Sequence, residues 1–311
     1  MILAITMNPS LDKVYLVDDF SIGKVFRTQE YTATAGGKGL NVARVIEAMD
    51  YDVTATGLLG GLNGKFINNQ LQTIDINNEF VEISGETRSC LNITDNLNNT
   101  VTEVLEAGPK IRQQEIDQFL SKYKKLVKKA DVITASGSLP LGLPTNFYRN
   151  LIKFANEQNK KFILDTSGDY LKEAIKEKPY MVKPNEEEIN YLFEDDYKNI
   201  ADYIQPLIKL RTLGINSPVI TLGKQGAVGL YKDEVYHFKP PEVEPVNVVG
   251  SGDAFVAGCA IGLLNNDYVQ TMKKGMACGI ANTLYMKTGK VTNQKVEEFI
   301  NKVEVQKIFE Q

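Results

Sequence analysis

Two short stretches set glycines beside a charged side chain in a way that suits the handling of an anion. In "VGSGDAFVAG", Gly250, Ser251 and Gly252 stand directly before Asp253 and an apolar, helix-forming run. A helix starting there aims unpaired backbone N–H groups and its positive dipole end at whatever precedes it. Capping alone would account for an aspartate in that first turn, but capping does not call for two glycines around a serine. A glycine loop at a helix start is a ready-made phosphate site, and a carboxylate beside it is placed to act as a base. In "TAGGKGLNVARV", Lys38 lies between Gly37 and Gly39 ahead of a second helix. This is not a P-loop, because Leu40 stands where a hydroxyl would have to meet magnesium. It reads either as a turn with a solvated lysine or as a second anion site.

Three further segments bear on the same chemistry. In "VKPNEEE", Pro184 ends a strand while Asn185 and Glu188 have the spacing of a capping box. In "ITLGKQG", Thr221 is followed by Gly223 and Gly226, which could be turn glycines. In "GETRSC", Arg88 falls between two strand candidates, where an exposed arginine is unremarkable by itself. Taken together, two anion sites, oxygen ligands fit for magnesium and a carboxylate at a glycine-rich helix start are the parts phosphoryl transfer needs. That reaction demands positioning and charge stabilisation more than covalent chemistry.

Composition removes several other classes. The chain has 311 residues with one histidine, His237, inside the strand-like "EVYHF", which rules out a multi-histidine metal site and reads as a packing or surface residue rather than a triad base. Its three cysteines match neither a zinc spacing nor a disulfide framework and are expected to be free thiols. The formal net charge of −4 gives no global field to recruit nucleic acid or a membrane surface. The start "MILAITMNPS" resembles no leader and no apolar run reaches a membrane span, so a cytoplasmic protein is expected.

These groups must be positioned by the elements around them. From residue 112 onward helical and strand patterns alternate, ending in "PVITLGKQG" and a hairpin "AVGLYKDEVYHF", which predicts parallel strands with crossover helices. Helices are predicted over about 252–265, 268–287 and 294–302, with a shorter one near 65–71. The first third holds more strands than a doubly wound fold needs. Two insertions, at about 10–35 and 85–108, are predicted to form a small separate sheet on a single domain spanning 1–311.

"GGKGLNVARV" and "VGSGDAFVAG" resemble the two signatures of the phosphofructokinase B (ribokinase-like) sugar kinases, and the resemblance covers essentially the whole chain. "MNPSLDKVY", "SGSLP", "LDTSG" and "VKPN" are similar to the branch holding tagatose-6-phosphate kinase and 1-phosphofructokinase, with "GETRSC" and "LEAGP" leaning toward the former. The resemblance implies a ribokinase-like α/β fold, a doubly wound and mainly parallel sheet flanked by helices, with a small β-sheet lid that pairs subunits into a homodimer. It implies ATP and Mg2+ as cofactors and a ketohexose phosphate as acceptor, tagatose 6-phosphate ahead of fructose 1-phosphate.

By the same resemblance Asp253 is the general base, and the amides of Gly250, Ser251 and Gly252 form the anion hole. Lys183, Asn185, Thr221, Gly223, Gly226 and Asn282 belong to the nucleotide side. Asp12, Gly37, Lys38, Asn41 and Arg88 belong to the sugar side, with Lys38 and Arg88 expected at the substrate's own phosphate. Asn185 and Glu188 face magnesium, directly or through water. Two positions depart from the pattern: Asn247 replaces an aspartate that helps bind a monovalent cation, and Phe26 precedes Arg27 where this branch has a polar residue. A kinase for an unphosphorylated sugar or nucleoside would give no reason to gather Lys38 and Arg88 in one pocket. An inactive sugar-phosphate-binding regulator would have no use for Asp253.

Overall fold

The structure is a computed structural model that describes residues 1–265 and 267–310. All five residues of the opening strand, β1 (Ile2–Thr6), are buried. Such a strand is apolar without alternation because both of its faces are covered. Ile2 and Ala4 pack into one core, Leu3 and Ile5 into the other.

The chain then leaves the main sheet for the antiparallel pair β2 (Ser10–Val17) and β3 (Tyr31–Gly36) and returns through α1 (Lys38–Ala48). It continues with β4 (Val53–Gly60), α2 (Gly61–Gln72), β5 (Asn77–Asn78) and β6 (Val81–Ile83), and a second excursion forms β7 (Arg88–Asp95) and β8 (Thr100–Leu105). Alternation follows: α3 (Gln113–Lys129), β9 (Val132–Ser136), α4 (Phe147–Glu157), β10 (Lys161–Asp165), α5 (Gly168–Ala174), β11 (Met181–Val182), α6 (Glu186–Phe193), α7 (Ile204–Thr212) and β12 (Ser217–Thr221). The hairpin β13 (Ala227–Tyr231) and β14 (Glu234–Lys239) leads to α8 (Ser251–Gly262), α9 (Tyr268–Thr283), α10 (Asn293–Ile300) and β15 (Glu304–Glu310).

The main sheet runs β15-β14-β13-β12-β11-β10-β9-β1-β4-β5, with β6 also on β4. It is parallel from β12 to β6 and antiparallel from β12 to β15. Helices α1, α2, α8, α9 and α10 cover one face, and α3 to α7 the other. Strand order reverses beside β1, since the chain builds outward to β4 on one side and to β9 on the other. In open α/β sheets that reversal opens a crevice at the carboxyl ends of the strands. The second sheet, β3-β2-β7-β8, is made by the two excursions, with β2 and β7 pairing in parallel.

Helix α2 and strand β15 are among the elements that differ from the sequence reading. Helix α2 begins at Gly61, ahead of the predicted Lys65, because a distant carboxylate serves its free N–H groups: Leu62 N and Asn63 N donate to Glu86 at 3.2 and 2.7 Å. Strand β15 went unpredicted; it pairs antiparallel with β14 only after three helices have intervened, a closure no local pattern announces. Among the described residues no helix is long and apolar enough to cross a membrane.

Candidate active site

The carboxyl ends of β10, β11 and β12, the starts of α1 and α8 and the inner side of the second sheet line one open cleft of about 2210 Å3. At its floor the helix α8 starts on Gly250, whose φ of 81° is a left-handed conformation that glycine adopts without strain. Gly252 lies against Lys183, whose Nζ stands 3.4 Å from where a Cβ would be. The loop before it is tied down: Ser251 Oγ donates to Val248 O at 2.6 Å, and Val249 N donates to Asn247 Oδ1 at 3.0 Å.

Asp253, in the first turn of α8, is buried and accepts a hydrogen bond from Asn41 Nδ2 at 2.7 Å. Desolvation and the facing carboxylate of Asp165 push its pKa up to about 7, against the pull of Asn41, Lys38 and Lys183. Asn41 and Lys38 ride on α1, whose start is pressed onto the end of β1. A Cβ on Gly39 would lie 2.3 Å from Thr6 Oγ1, and one on Gly37 2.9 Å from Thr6 Cγ2. Lys38 is held in its charged form by Asp165 first and then by Asp253 and Glu188, in spite of its burial.

Asp165 itself, at the end of β10, pairs with Lys183 at 3.1 Å, and both side chains are buried. Asp165, within "LDTSG", is a site residue that the sequence motifs leave unassigned. A carboxylate closing a strand whose middle, Phe162–Leu164, is wholly apolar is the signal it carried. Lys183 follows β11, whose last residue is Val182. One turn further, Asn185 and Glu188 form the predicted capping box, with Asn185 N to Glu188 Oε2 at 2.9 Å and Glu188 N to Asn185 Oδ1 at 2.8 Å. Glu188 still faces the cleft, and burial followed by the charge of Asp165 raises its pKa.

On the β12 side Thr221, Gly223 and Gly226 line the cleft together with Lys224. Gly226 at φ 94° lets the loop fold back so that Leu222 N donates to Gly226 O at 2.8 Å. Its hydrogen faces the carbonyl of Phe238, 2.0 Å from where a Cβ would be, so no other residue fits. His237, a strand residue as expected, lies with Nε2 2.8 Å from Gln225 O beneath this loop.

Asn282, by contrast, does not reach the cleft. It is fully buried, its Nδ2 donating to Val249 O at 2.9 Å and its Oδ1 accepting from Gly289 N at 2.8 Å. It braces the loops around the cleft, and the neighbouring Gly279, Ile280 and Thr283 supply the lining. Asn247 Nδ2 donates to Met286 O at 2.8 Å, joining the same two loops.

At the other end Asp12 of β2 accepts from Ser10 Oγ at 2.6 Å. Its carboxyl group occupies the space a side chain at Gly36 would fill, only 2.0 Å from that Cβ position. Burial raises its pKa, opposed by Ser10, Arg44 and Arg88. Arg88, opposite Ser10 in the strand register, donates to Asn8 O at 3.2 Å and Glu106 O at 3.0 Å. Lys38 and Arg88 line the same cleft but differ in their charge partners: Asp165, Asp253 and Glu188 act on Lys38, while Arg88 acts on Asp12. Cys90, beside Asp12 in the register, is a free thiol like Cys259 and Cys278.

A buried carboxylate poised near neutrality, beside helix-start amides and two lysines, can accept a proton while a neighbouring negative charge is stabilised. The description pfkB family carbohydrate kinase matches residues 5–295 of the chain. A tagatose-6-phosphate kinase of Staphylococcus epidermidis is 39% identical over 98% of this chain and 99% of its own length. Among solved structures, phosphofructokinase-2 from Escherichia coli in complex with substrates and products superposes with a TM-score of 0.89 at 25% identity, covering 97% of this chain and 98% of that one. A possible 1-phosphofructokinase from Thermotoga maritima gives 0.90 at 25% identity, covering 99% of each chain.

Proposed function

The chain belongs to the pfkB family of carbohydrate kinases, and from that premise we propose that it phosphorylates a ketohexose phosphate with ATP, yielding ADP and a ketohexose bisphosphate. Tagatose 6-phosphate is the acceptor favoured by the 39% identical relative of that name. Fructose 1-phosphate is the second reading, favoured by the structural likeness to the Thermotoga maritima protein.

The observation that carries the proposal is Asp253, buried at a glycine-started helix with Asn41, Lys38 and Lys183 around it. In the step proposed, the acceptor hydroxyl gives its proton to Asp253 as its oxygen forms a bond to the γ-phosphorus. The bond from that phosphorus to the β-phosphate oxygen breaks, and ADP leaves with the electron pair. The amides of Gly250, Ser251 and Gly252, with the α8 dipole, face the transferring group. Lys38 and Lys183 balance its charge. Lys38 is assigned there, rather than at the sugar's own phosphate, because its charge partners are Asp165, Glu188 and Asp253. Asp12 would hold sugar hydroxyls, with Gly37 and Asn41 beside it. Arg88 would meet the phosphate the sugar already carries.

Thr221, Gly223 and Gly226 would hold the nucleotide from the β12 side. Magnesium would be held by Asn185 and Glu188, in part through water. Among the described residues no three carboxylate, histidine or cysteine side chains converge on one point. That suits a hard cation that keeps waters and completes its shell with substrate phosphates, whose charge it offsets when bound. The sheet β3-β2-β7-β8 would act as a lid that excludes water and joins two subunits, in a protein of the cytoplasm.

ADP release with Mg-ATP, measured against tagatose 6-phosphate, fructose 1-phosphate, fructose 6-phosphate, fructose and ribose, tests the reading. A kcat/KM for tagatose 6-phosphate well above the others is expected. Turnover confined to an unphosphorylated sugar, or none despite ATP binding by calorimetry, would overturn it.

A further inference from the structure

We infer that Arg44 is a positioning residue for the proposed base, acting through the side-chain amide of Asn41. The inference rests on the reading of Asp253 as the base. Arg44 lies one turn after Asn41 on α1, a spacing that puts both on one face of the helix. One guanidinium nitrogen, Nη2, donates to Asn41 Oδ1, and Asn41 Nδ2 donates in turn to Asp253 Oδ2 at 2.7 Å.

An amide flips with little cost when its two ends are equivalent to their surroundings. Here they are not: a cation on Oδ1 fixes the NH2 group toward the carboxylate. The other nitrogen, Nη1, donates to Ala35 O at 2.7 Å, at the end of β3 where the second sheet joins the glycine turn. The guanidinium therefore links the root of the second sheet to the hydrogen bond that orients the base.

A purely space-filling role does not suit this side chain. It is buried, and its Nε has no hydrogen-bond partner. Gly289 leaves room for it, with Nε only 3.0 Å from a Cβ built there. An apolar residue of similar volume would avoid burying a cation with an orphan donor. Nor does Arg44 stand alone in the field at Asp253. Asp165 from β10, Lys38 from α1 and Lys183 after β11 also act on that carboxylate, and Asp12 acts on Arg44 from β2.

The test is a cycle of Arg44→Met, Asn41→Leu and the double variant, with Arg44→Lys alongside. The Asp253 ionisation is followed two ways: by the acidic limb of kcat/KM against pH, and by carboxyl-carbon NMR of the substrate-free protein. Losing a cation and a fixed donor near a carboxylate favours its neutral form, so Arg44→Met should move both readings up by about one pH unit or more. Arg44→Lys, which keeps the charge but not the planar fork, should move them less.

In the Asn41→Leu background, removing Arg44 should add less than half of its single effect. A folded Arg44→Met with both readings unmoved, or full additivity with Asn41→Leu, would overturn the inference. If Arg44→Met does not fold, the same cycle with Arg44→Lys decides by the same outcomes. Because the NMR titration needs no turnover, failure of the proposed reaction would show in the wild type alone and leave the test of Arg44 standing.

Discussion

Asp253 is where burial and catalysis pull in opposite directions. Its ordinary value is 3.8, and desolvation beside Asp165 takes it to about 7. The base form dominates only above that, so kcat/KM should rise with pH through a limb near neutrality. Replacing Asp253 with Asn should lower kcat by roughly 10^2- to 10^4-fold while calorimetry finds ATP bound as before. Substantial remaining turnover would remove the base assignment.

The same shift sets a stability cost. A carboxyl whose folded pKa is raised contributes its stability below the unfolded value and loses it as pH rises through the folded one. The melting temperature of Asp253→Asn should therefore exceed that of the wild type by a margin that grows between about pH 4 and 7 and then levels. A margin independent of pH would show that Asp253 is not buried as a charge.

The different charge partners of Lys38 and Arg88 predict a second contrast. Arg88→Met should chiefly raise the sugar-phosphate KM, because it removes a contact present in ground and transition states alike. Lys38→Met should chiefly lower kcat. The reverse pattern would exchange their roles.

At the scale of elements, the site depends on how closely backbone approaches side chain. Gly36 closes β3 so that the Asp12 carboxyl can lie across it. Alanine there puts a methyl group inside that carboxyl, which must leave. Gly36→Ala is expected to raise the acceptor KM by tenfold or more, about the 1.4 kcal/mol worth of one lost contact, with the ATP KM unchanged. An unchanged acceptor KM would show that Asp12 does not bind sugar. Helices α1 and α8 start within reach of each other because small residues allow it. Gly39 lets α1 press on β1, and Gly258 lets α8 press on α9, where a Cβ would stand 2.4 Å from Lys274 O. The hydrogen bond from Asn41 to Asp253 is the meeting point of those two helices.

For the whole molecule, the second sheet is the part whose packing is unfinished. Every residue of β8 is exposed, among them Val101, Val104 and Leu105 at 58%, 53% and 60%, and Tyr31 on the opposite edge strand is 62% exposed. An apolar edge strand left in water invites pairing with another chain. Sedimentation should give the mass of a dimer for the wild type and of a monomer for Val104→Asp. The monomer should lose turnover, since an unpaired lid closes over the cleft less firmly. A wild type that sediments as a monomer at micromolar concentration would dismiss the proposed lid interface.

Much of this was legible in the residue string, for reasons that can be named. The alternation after residue 112 has the period of parallel strands and crossover helices, and the glycine-rich helix starts carry local backbone requirements that only glycine meets. Asp253, Lys183, the Asn185–Glu188 box and the Gly223–Gly226 loop all lie on the cleft lining as expected. Local pattern does not specify which distant group completes a local one. Glu86 at the start of α2, β15 on the sheet edge, Asp165 against Lys183, and Arg44 behind Asn41 are all partners separated by long stretches of chain or hidden by burial. The same reason makes Asn282 a brace between the loops beside the cleft and gives Lys38 and Arg88 different charge partners. Residue types and spacing determined which chemistry the chain could perform; the tertiary structure decided which charges share a desolvated space, because electrostatic strength there depends on distance and dielectric rather than on order in the sequence.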